Sequence, residues 1–130
     1  MTIFSKIIAG EIPCYKIAEN EKFFAFLDIF PVKKGHTLVV PKIEVDKIFD
    51  LNDEYLSEIL VFANPIAKAI QQAFPCNRVN ISTVGLEVPH AHIHLIPTDQ
   101  ADDMNPCKGK LNLSKEELQQ IQEKIKTYLH

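Results

Sequence analysis

Residues 89–97 read Pro-His-Ala-His-Ile-His-Leu-Ile-Pro. Three histidines stand at alternate positions of this stretch, namely His90, His92 and His94. Alternate side chains of a β-strand share one face and lie about 6.6 Å apart along it. The pattern therefore predicts a strand, His90 to Ile96, that carries three imidazoles on one face and buries Ala91 and Ile93 on the other.

Four more strands are predicted before the histidine strand, which makes it the last of five. Strand-like runs bounded by turn residues are Tyr15 to Glu19, Phe23 to Asp28, Thr37 to Val40 and Arg78 to Val84. Short connections of this kind favour antiparallel neighbours. The expected sheet is therefore five-stranded and mainly antiparallel.

Three helices are predicted from capping residues and from an apolar repeat of 3.6 residues. The long one begins at Asn52, carries an apolar residue on every turn and should be kinked at Pro65. Thr2 caps a short helix from Ile3 to Ala9, and a Ser-x-x-Glu capping box opens a C-terminal helix at Ser114. Strands and helices in this order indicate an α+β fold with the long helix packed on the sheet.

The chain has 130 residues, of which 46% are apolar and 24% are charged. This length and composition predict a single domain over residues 1–130, in which residues 98–130 form a variable loop and C-terminal helix. The net charge is −3 and the lysines are scattered, so a polynucleotide partner is not expected. A small-molecule ligand is the better expectation.

The sequence also bears on cellular location. No stretch approaches the ~20 apolar residues of a membrane-spanning helix, and the first residues lack the pattern of a secretory signal. Cys14, Cys76 and Cys107 occur without a Cys-x-x-Cys spacing, so we expect free thiols. We therefore expect a cytoplasmic protein that does not associate with membranes.

Two chemical interpretations of the histidine stretch are open from its spacing alone. One neutral imidazole can attack phosphorus while its neighbour holds a phosphate oxygen. His-x-His on a strand is equally a good zinc chelate when a third ligand, for which His36 is the candidate, comes from elsewhere. Packing in the core explains a single histidine better than it explains three in register.

Residues 90–96 match the His-φ-His-φ-His-φ-φ signature of the histidine triad (HIT) family, in which φ is an apolar residue. Residues 2–20 (TIFSKIIAGEIPCYKIAEN), 23–42 (FFAFLDIFPVKKGHTLVVPK) and 80–97 also resemble that family, in its order. They are similar to the Hint branch, the nucleoside phosphoramidases. The resemblance implies a HIT-like fold whose sheet continues across a homodimer, with the long helix beside the two-fold axis.

The resemblance also implies an activity, the hydrolysis of purine nucleoside 5′-phosphoramidates, adenosine derivatives first, through a nucleotidyl-histidine intermediate. His92 would attack the α-phosphorus, and His94 would contact the phosphate and the leaving group. His36 would support the nucleophile by hydrogen bonding, and His90 would help to fix its tautomer. No cofactor and no metal are implied.

Further residues match substrate-binding positions of the family. Asp28 would bind the ribose hydroxyls, unless it only forms a turn at the end of its strand, and Asn80 would lie near the phosphate. Gly85 would let the backbone approach the ligand, or is a simple turn glycine. Glu87 and Val88 complete the set. Glu87 would act through its backbone N–H, because its carboxylate would repel a phosphate.

An apolar slot for the base would be lined by Ile3, Phe4, Ile7, Phe26 and Ile29. Without the resemblance, these slot residues would be assigned to the core.

The chain departs from the family pattern at several positions. Leu86 and Glu87 stand where a glutamine and a small polar residue are usual. Zinc-binding members carry Cys-x-x-Cys and a histidine where this chain has Thr2, Ser5 and Glu44, so a structural zinc is not expected. A C-terminal tryptophan is common in the Hint branch, whereas this chain has none, which leaves the leaving-group preference open.

Three other functions stay open at this point. The same nucleophile could cleave diadenosine polyphosphates or nucleotidylated conjugates, the activity of another branch of the family. A nucleotide-binding scaffold would bind the nucleotide with incidental catalysis. A metalloenzyme would contain stoichiometric zinc or iron.

Overall fold

The computed structural model describes residues 1–105, 107 and 109–129. In chain order the helices and strands are α1 (Ile3–Ile8), β1 (Lys16–Glu19), β2 (Phe23–Leu27), β3 (Thr37–Pro41), α2 (Asp53–Ala73), β4 (Arg78–Ser82), β5 (Ile93–Thr98) and α3 (Lys115–Thr127). Two short 3₁₀ turns, Ile48–Asp50 and Ala101–Met104, lie in the connections. Pro106, Lys108 and His130, which belong to the predicted C-terminal loop and helix, lie outside the described residues.

The five strands form one sheet in the order β1-β2-β3-β5-β4, and each of these pairings is antiparallel. The turn between β1 and β2 is held by the Asn20 side chain, whose oxygen accepts from the backbone N–H groups of Lys22 and Phe23. The predicted α+β fold with a five-stranded sheet and one long helix is confirmed. Strand β5, the last in sequence, lies between β3 and β4, so the end of the histidine stretch enters an interior strand of the sheet.

The strand register places two kinds of residue on opposite faces of the sheet. His94 pairs with Leu38 of β3 on one side and with Ser82 of β4 on the other, so these three side chains share one face. Val39 pairs with Ile93 on the opposite face. Successive side chains of a strand point to opposite faces. Neighbouring residues such as Ile93 and His94 therefore lie in different environments, the apolar core and the polar site.

Helices α2 and α3 cover the apolar face. The side chains buried between helices and sheet include Leu27, Val39, Ile66, Ile70, Ile93, Leu95 and Ile125. Each buried side chain of this size contributes roughly 1.5–3 kcal/mol relative to exposure. The N-terminus of α2 is capped by Asn52, whose side chain accepts from the N–H of Tyr55. Helix α2 continues through Pro65, where the predicted kink stays a prediction.

Helix α1 covers the other face, against a smaller apolar cluster. Its first turn is capped by Thr2, whose hydroxyl accepts from the N–H of Ser5 as predicted. The helix ends at Ile8, one residue before the predicted end, and Gly10 follows with φ of 83°. The buried members of this cluster are Phe4, Phe24, Phe26, Leu38 and Val40. Because α1 is short, the face has room for the histidines beside these rings.

The prediction of a strand from His90 was wrong at its start, because β5 begins at Ile93. The backbone N–H of Ala91 donates to the carbonyl of Val45, outside the sheet, at 2.6 Å. Past the last β4–β5 pair, the Thr83 hydroxyl donates to the carbonyl of His92 at 2.8 Å. These bonds draw the stretch before Ile93 away from the ladder, so His94 alone of the triad lies on a strand.

Other boundaries move by smaller amounts. Strand β4 ends at Ser82 instead of Val84, and β2 ends at Leu27, one residue before the predicted end. Thr98 belongs to β5 instead of the predicted loop. Among the described residues, no helix combines the length and the apolar character that a membrane span needs.

Candidate active site

Four polar side chains meet on the α1 face of the sheet, between β3, β5 and the turn before β3. They are Asp28, His36, His92 and His94. His36 follows Gly35, which has φ of 101°. A Cβ at Gly35 would lie 3.0 Å from the Phe74 ring, so both the backbone conformation and the space favour glycine. The turn thus brings His36 to the site, 58 residues before its partner His94.

The hydrogen bonds of His36 and His94 determine where their protons lie. The backbone N–H of Val32 donates to Nδ1 of His36 at 3.2 Å, so the neutral ring carries its proton on Nε2. That Nε2–H then donates to Nδ1 of His94 at 2.8 Å. His94 consequently carries its own proton on Nε2. The pair presents one N–H donor beside His92, whose ring centroid is 5.1 Å from that of His94.

The hydrogen bond of His92 sets the opposite tautomer. Nδ1 of His92 lies 2.7 Å from the carbonyl oxygen of His90, and a carbonyl can only accept, so Nδ1 carries the proton. The lone pair of the neutral ring is then on Nε2. The ring lies edge-on to Phe4, with centroids 5.0 Å apart. A ring oriented at one nitrogen and bearing a lone pair at the other is suited to nucleophilic attack.

His90 is completely buried, with 0% of its surface exposed. Its Nε2–H donates to the carbonyl of Pro41 at 2.9 Å, and its Nδ1 lies 2.7 Å from the hydroxyl of Thr2. Both ring nitrogens are therefore occupied by protein groups. The ring is therefore fixed in place, and the organisational role that the family resemblance implies for it stays a prediction.

Burial lowers the pKa of His36 and of His94, in each case to about 4. The positive charge of Lys110 lowers both pKa values further, and the His36 and His92 rings act in the same direction on His94. The hydrogen bonds agree with this direction, because a second proton on His36 would face the N–H of Val32. At neutral pH both rings are thus uncharged, and their tautomers are the ones described above.

Asp28 forms the predicted turn and also lies beside His36, and its binding of the ribose stays a prediction. Its Oδ1 accepts from the backbone N–H of Phe30 at 2.9 Å, which is the turn-forming role. Its Oδ2 lies 3.7 Å from Nε2 of His36, at the site. Burial raises the pKa of this carboxyl, whereas the Phe30 N–H and the nearby His94 and Lys110 lower it.

The residues of the predicted apolar slot divide into two groups. Phe4 and Phe26 are buried with ring centroids 5.6 Å apart, and Ile7 packs against their cluster together with Val88. Ile3 and Ile29 are about half exposed, at 49% and 48%. Apolar side chains of this kind can be covered by a planar base, and the slot itself stays a prediction.

The other predicted contact residues lie on β4 and in the turn after it. Asn80 is two residues before Ser82, so it shares the face of His94. Gly85 has φ of 66° with open space around it, so the turn alone accounts for a glycine there. Leu86, at 88% exposure, and Glu87 are both exposed to solvent.

One group of donor atoms in the site could hold a metal ion. Single ligand atoms of Asp28, His36 and His94 lie within 4.8 Å of one another. A metal ion bound there would have to displace the proton that His36 donates to His94. His90 is not part of this group, because both nitrogens of its ring are hydrogen-bonded elsewhere.

Two contacts of the site could not be found by motif. Leu111 donates its backbone N–H to the carbonyl of Pro31 at 2.7 Å, and this bond brings Lys110 close to Asp28, His36 and His94. The sequence shows only a lysine in a polar loop. Thr2 reaches His90 across 88 positions, where its role as a helix cap was the only one visible.

Two cavities of the fold lie away from the imidazoles. The larger, of about 420 Å³, lies between α2 and the β1–β2 turn and is lined by Asn20, Lys22, Val61 and Phe62 among others. The smaller, of about 350 Å³, is lined by Lys33, Phe74 and Pro97 among others. Neither cavity is lined by one of the clustered histidines. The hydrogen bonds of the histidines therefore identify the candidate site better than cavity volume does.

Comparisons with known proteins place this arrangement among relatives. A family model described as HIT domain matches residues 9–101, which include all four histidines discussed above. Adenosine 5′-monophosphoramidase HNT1 of Saccharomyces cerevisiae is 41% identical over 96 residues, which cover 73% of this chain and 61% of that enzyme.

Solved structures agree in fold along nearly the whole chain. A HIT-like protein of Bartonella henselae involved in cell-cycle regulation has a TM-score of 0.84 at 30% identity, covering 98% of this chain and 96% of that one. A Zn-bound histidine triad family protein of Mycobacterium smegmatis has a TM-score of 0.80 at 26% identity, covering 98% and 91%.

Proposed function

This chain belongs to the HIT family, and on that premise we propose that it hydrolyses purine nucleoside 5′-phosphoramidates, releasing the nucleoside monophosphate and an amine. Family membership and the 41% identity to a phosphoramidase support nucleotide hydrolase activity. The substrate class and the covalent intermediate are parts of the proposal. The observation that carries it is the hydrogen bond from Nδ1 of His92 to the His90 carbonyl, which leaves the lone pair on Nε2.

In the first step, Nε2 of His92 attacks the α-phosphorus and forms a P–N bond. The bond from phosphorus to the amine breaks, its electron pair goes to the amine nitrogen, and the amine takes a proton from water. The positive charge that develops on the His92 ring is stabilised by the His90 carbonyl, to which Nδ1–H donates. Nε2–H of His94 donates to a phosphate oxygen or to the leaving nitrogen.

In the second step, water attacks phosphorus, the P–N bond to His92 breaks and Nε2 regains its lone pair. The proton that the attacking water releases neutralises the hydroxide left when the amine took its proton in the first step. Dividing one displacement into two avoids direct attack of water on the phosphoramidate. His36 does not touch the reacting atoms in this scheme. Its contribution is to keep the Nε2–H tautomer of His94, through the bond that it donates to Nδ1.

The remaining site residues hold the nucleoside in this proposal. Asp28 accepts from the ribose hydroxyls through Oδ2, since Oδ1 is used by Phe30. The base lies on the slot surface formed by Phe4, Phe26 and their isoleucine neighbours. Asn80 lies on the face of His94, where its amide donates to a phosphate oxygen. Residues 85–88 line the phosphate end through backbone groups.

A substrate comparison tests the proposed function. We expect turnover of adenosine 5′-phosphoramidate to exceed that of a diadenosine polyphosphate, and we expect elemental analysis to find no stoichiometric zinc or iron. Faster cleavage of the diadenosine compound would assign the other substrate class. Nucleotide binding without any turnover would indicate a scaffold, and loss of activity after metal removal would indicate a metalloenzyme at Asp28, His36 and His94.

We also propose that the protein is a homodimer joined at the β4 edge of the sheet. Strand β4 is an edge strand, and Ile81 and Val84, in and just after it, are 48% and 44% exposed. Leu60 on the neighbouring α2 is 57% exposed. Pairing of two β4 strands about a two-fold axis would remove the strand edge and these apolar side chains from solvent. Sedimentation should give a dimer that Ile81→Glu dissociates; a monomeric wild type would contradict it.

A further inference from the structure

A hydrogen-bonded cluster lies beneath the site, where the N-terminus, the segment after β3 and His90 meet. The carboxylate of Glu44 accepts from the backbone N–H of Thr2 and, at 2.8 Å, from the hydroxyl of Ser5. The hydroxyl of Thr2 accepts from the N–H of Ser5 at 3.1 Å and lies 2.7 Å from Nδ1 of His90. We name these residues, Thr2, Ser5 and Glu44, the N-terminal clasp.

The hydrogen-bond partners assign the protons of the clasp for a neutral His90 ring. A carboxylate only accepts, so the Ser5 proton goes to Glu44 and Ser5 has none to donate to His90. The Pro41 carbonyl also only accepts, so His90 carries its proton on Nε2 and its Nδ1 is a lone pair. Thr2 is therefore the donor to His90. Its other partner, the Ser5 oxygen, is more distant at 3.1 Å.

The clasp reaches the nucleophile through one residue. The His90 ring is held at both nitrogens, by Thr2 and by Pro41, and is fully buried. The carbonyl of that same residue accepts from Nδ1 of His92. Phe4, which follows the capping Thr2 in the first turn of α1, lies edge-on to both rings, at 5.8 Å from His90 and 5.0 Å from His92.

We propose that Thr2 is a positioning residue for the hydrolysis, which holds His90 so that the His90 carbonyl keeps His92 in its reactive tautomer and orientation. Ser5 and Glu44 support Thr2 by fixing its hydroxyl and its backbone. The family match covers residues 9–101, so Thr2 and Ser5 lie outside the matched stretch and Glu44 lies within it. The cluster consists of hydroxyl, carboxylate and imidazole groups that are joined by hydrogen bonds.

Three variants test this role. Thr2→Val keeps the shape of the side chain but removes its proton and its oxygen, so Nδ1 of His90 is left buried without a donor. We expect kcat for adenosine 5′-phosphoramidate to fall by about ten-fold or more, with KM within about two-fold. Thr2→Ser restores the hydroxyl and should recover most of kcat. Ser114→Ala removes the equivalent cap of α3, on the far face of the sheet, and should lower Tm without changing kcat.

This proposal rests on the proposed function, so a second readout is needed that does not depend on turnover. The ¹⁵N chemical shifts of the His92 imidazole report which nitrogen is protonated. We expect a single Nδ1–H tautomer in the wild type and in Thr2→Ser, and a mixture in Thr2→Val. Wild-type kcat and an unmixed tautomer in Thr2→Val would overturn the proposal, as would a failure of Thr2→Ser to recover. Absence of any turnover with the expected tautomers would refute only the proposed function.

Discussion

The two faces of the sheet are made from neighbouring residues of the same strands, yet they are stabilised differently. On the helix face, Val39 and Ile93 pack against α2 with 0% and 3% of their surfaces exposed. On the α1 face, His94 and its neighbours are held by hydrogen bonds of defined direction. Apolar packing tolerates many side chains of similar volume, whereas a directed bond determines which nitrogen carries a proton.

The polar face is satisfied in full. Within the described residues, no buried side-chain nitrogen or oxygen lacks a hydrogen-bond partner. Buried imidazoles without partners would each cost on the order of 1–3 kcal/mol. The comparison therefore predicts that changes on the helix face alter stability, whereas changes on the α1 face alter chemistry. The first two experiments below test that separation, and the next two test the electrostatics of the α1 face.

The largest expected effect is on turnover and comes from His92. We expect His92→Asn to lower kcat by roughly a thousand-fold or more, because asparagine has no nitrogen lone pair to attack phosphorus. Its amide can still donate to the His90 carbonyl, so Tm should change little. Steady-state kinetics and thermal unfolding of the same preparation check this. A variant that turns over at the wild-type rate would remove His92 as nucleophile.

On the helix face, Ile70→Ala should give the largest loss of stability. Ile70 is fully buried, and truncation of such a side chain costs about 2–5 kcal/mol. Gln72→Ala, an exposed position on the same helix, serves as the control and should stay within about 0.5 kcal/mol. Urea unfolding gives both values. The activity of Ile70→Ala is measured at urea concentrations well below its unfolding midpoint, where the variant is folded. A lowered kcat under these conditions would show that the two faces are not separable.

The pH dependence of stability tests the buried histidines. His36 and His94 have a pKa of about 4 in the folded protein, against about 6.5 when unfolded. Between pH 4 and 6.5 the unfolded chain therefore binds more protons than the folded protein. The contribution of these histidines to the free energy of unfolding is fully present above pH 6.5, and the free energy falls by a few kcal/mol as the pH drops towards 4. The raised pKa of Asp28 opposes part of this loss at the acid end. Unfolding measured from pH 7 to 4 should show the fall, and His36→Gln should flatten it; a flat wild-type profile would contradict the burial argument.

The smallest expected effect comes from Lys110. Its charge lowers the pKa values of His36 and His94, so Lys110→Gln should move both upwards, towards 6.5. The change should shrink as salt is added, because Lys110 is exposed. Histidine titration by NMR measures it, with Lys115→Gln at the start of α3 as control. Equal titration curves for all three proteins would show that the loop does not approach the site in solution.

Most of the fold could be predicted from local patterns. Turn residues separate the strands, the 3.6-residue repeat identifies α2, and caps at Thr2, Asn52 and Ser114 begin the helices. The start of β5 could not be predicted, because the bonds that draw residues 90–92 out of the ladder are tertiary contacts. The Ala91 N–H donates to the Val45 carbonyl and the Thr83 hydroxyl donates to the His92 carbonyl. Alternation alone makes a longer strand.

The sequence predicts which residues make up the candidate site, but not the hydrogen bonds between them. The spacing identifies the histidines as a unit, and the family resemblance separates their roles. Both histidine tautomers at the centre depend on backbone partners, Val32 for His36 and the carbonyl of His90 for His92. No sequence pattern specifies such partners. The contribution of Thr2 is hidden for the same reason, since its motif already explains it as a helix cap.

The central claim is that His92 is the nucleophile, and trapping the intermediate tests it directly. Enzyme in excess is mixed with adenosine 5′-phosphoramidate, quenched in base within milliseconds, digested and analysed by mass spectrometry. The account predicts an adenylate on Nε2 of His92 that forms and decays at the rate of turnover and is absent from His92→Asn. Complete turnover without an adduct, or an adduct on His94 instead, would contradict it.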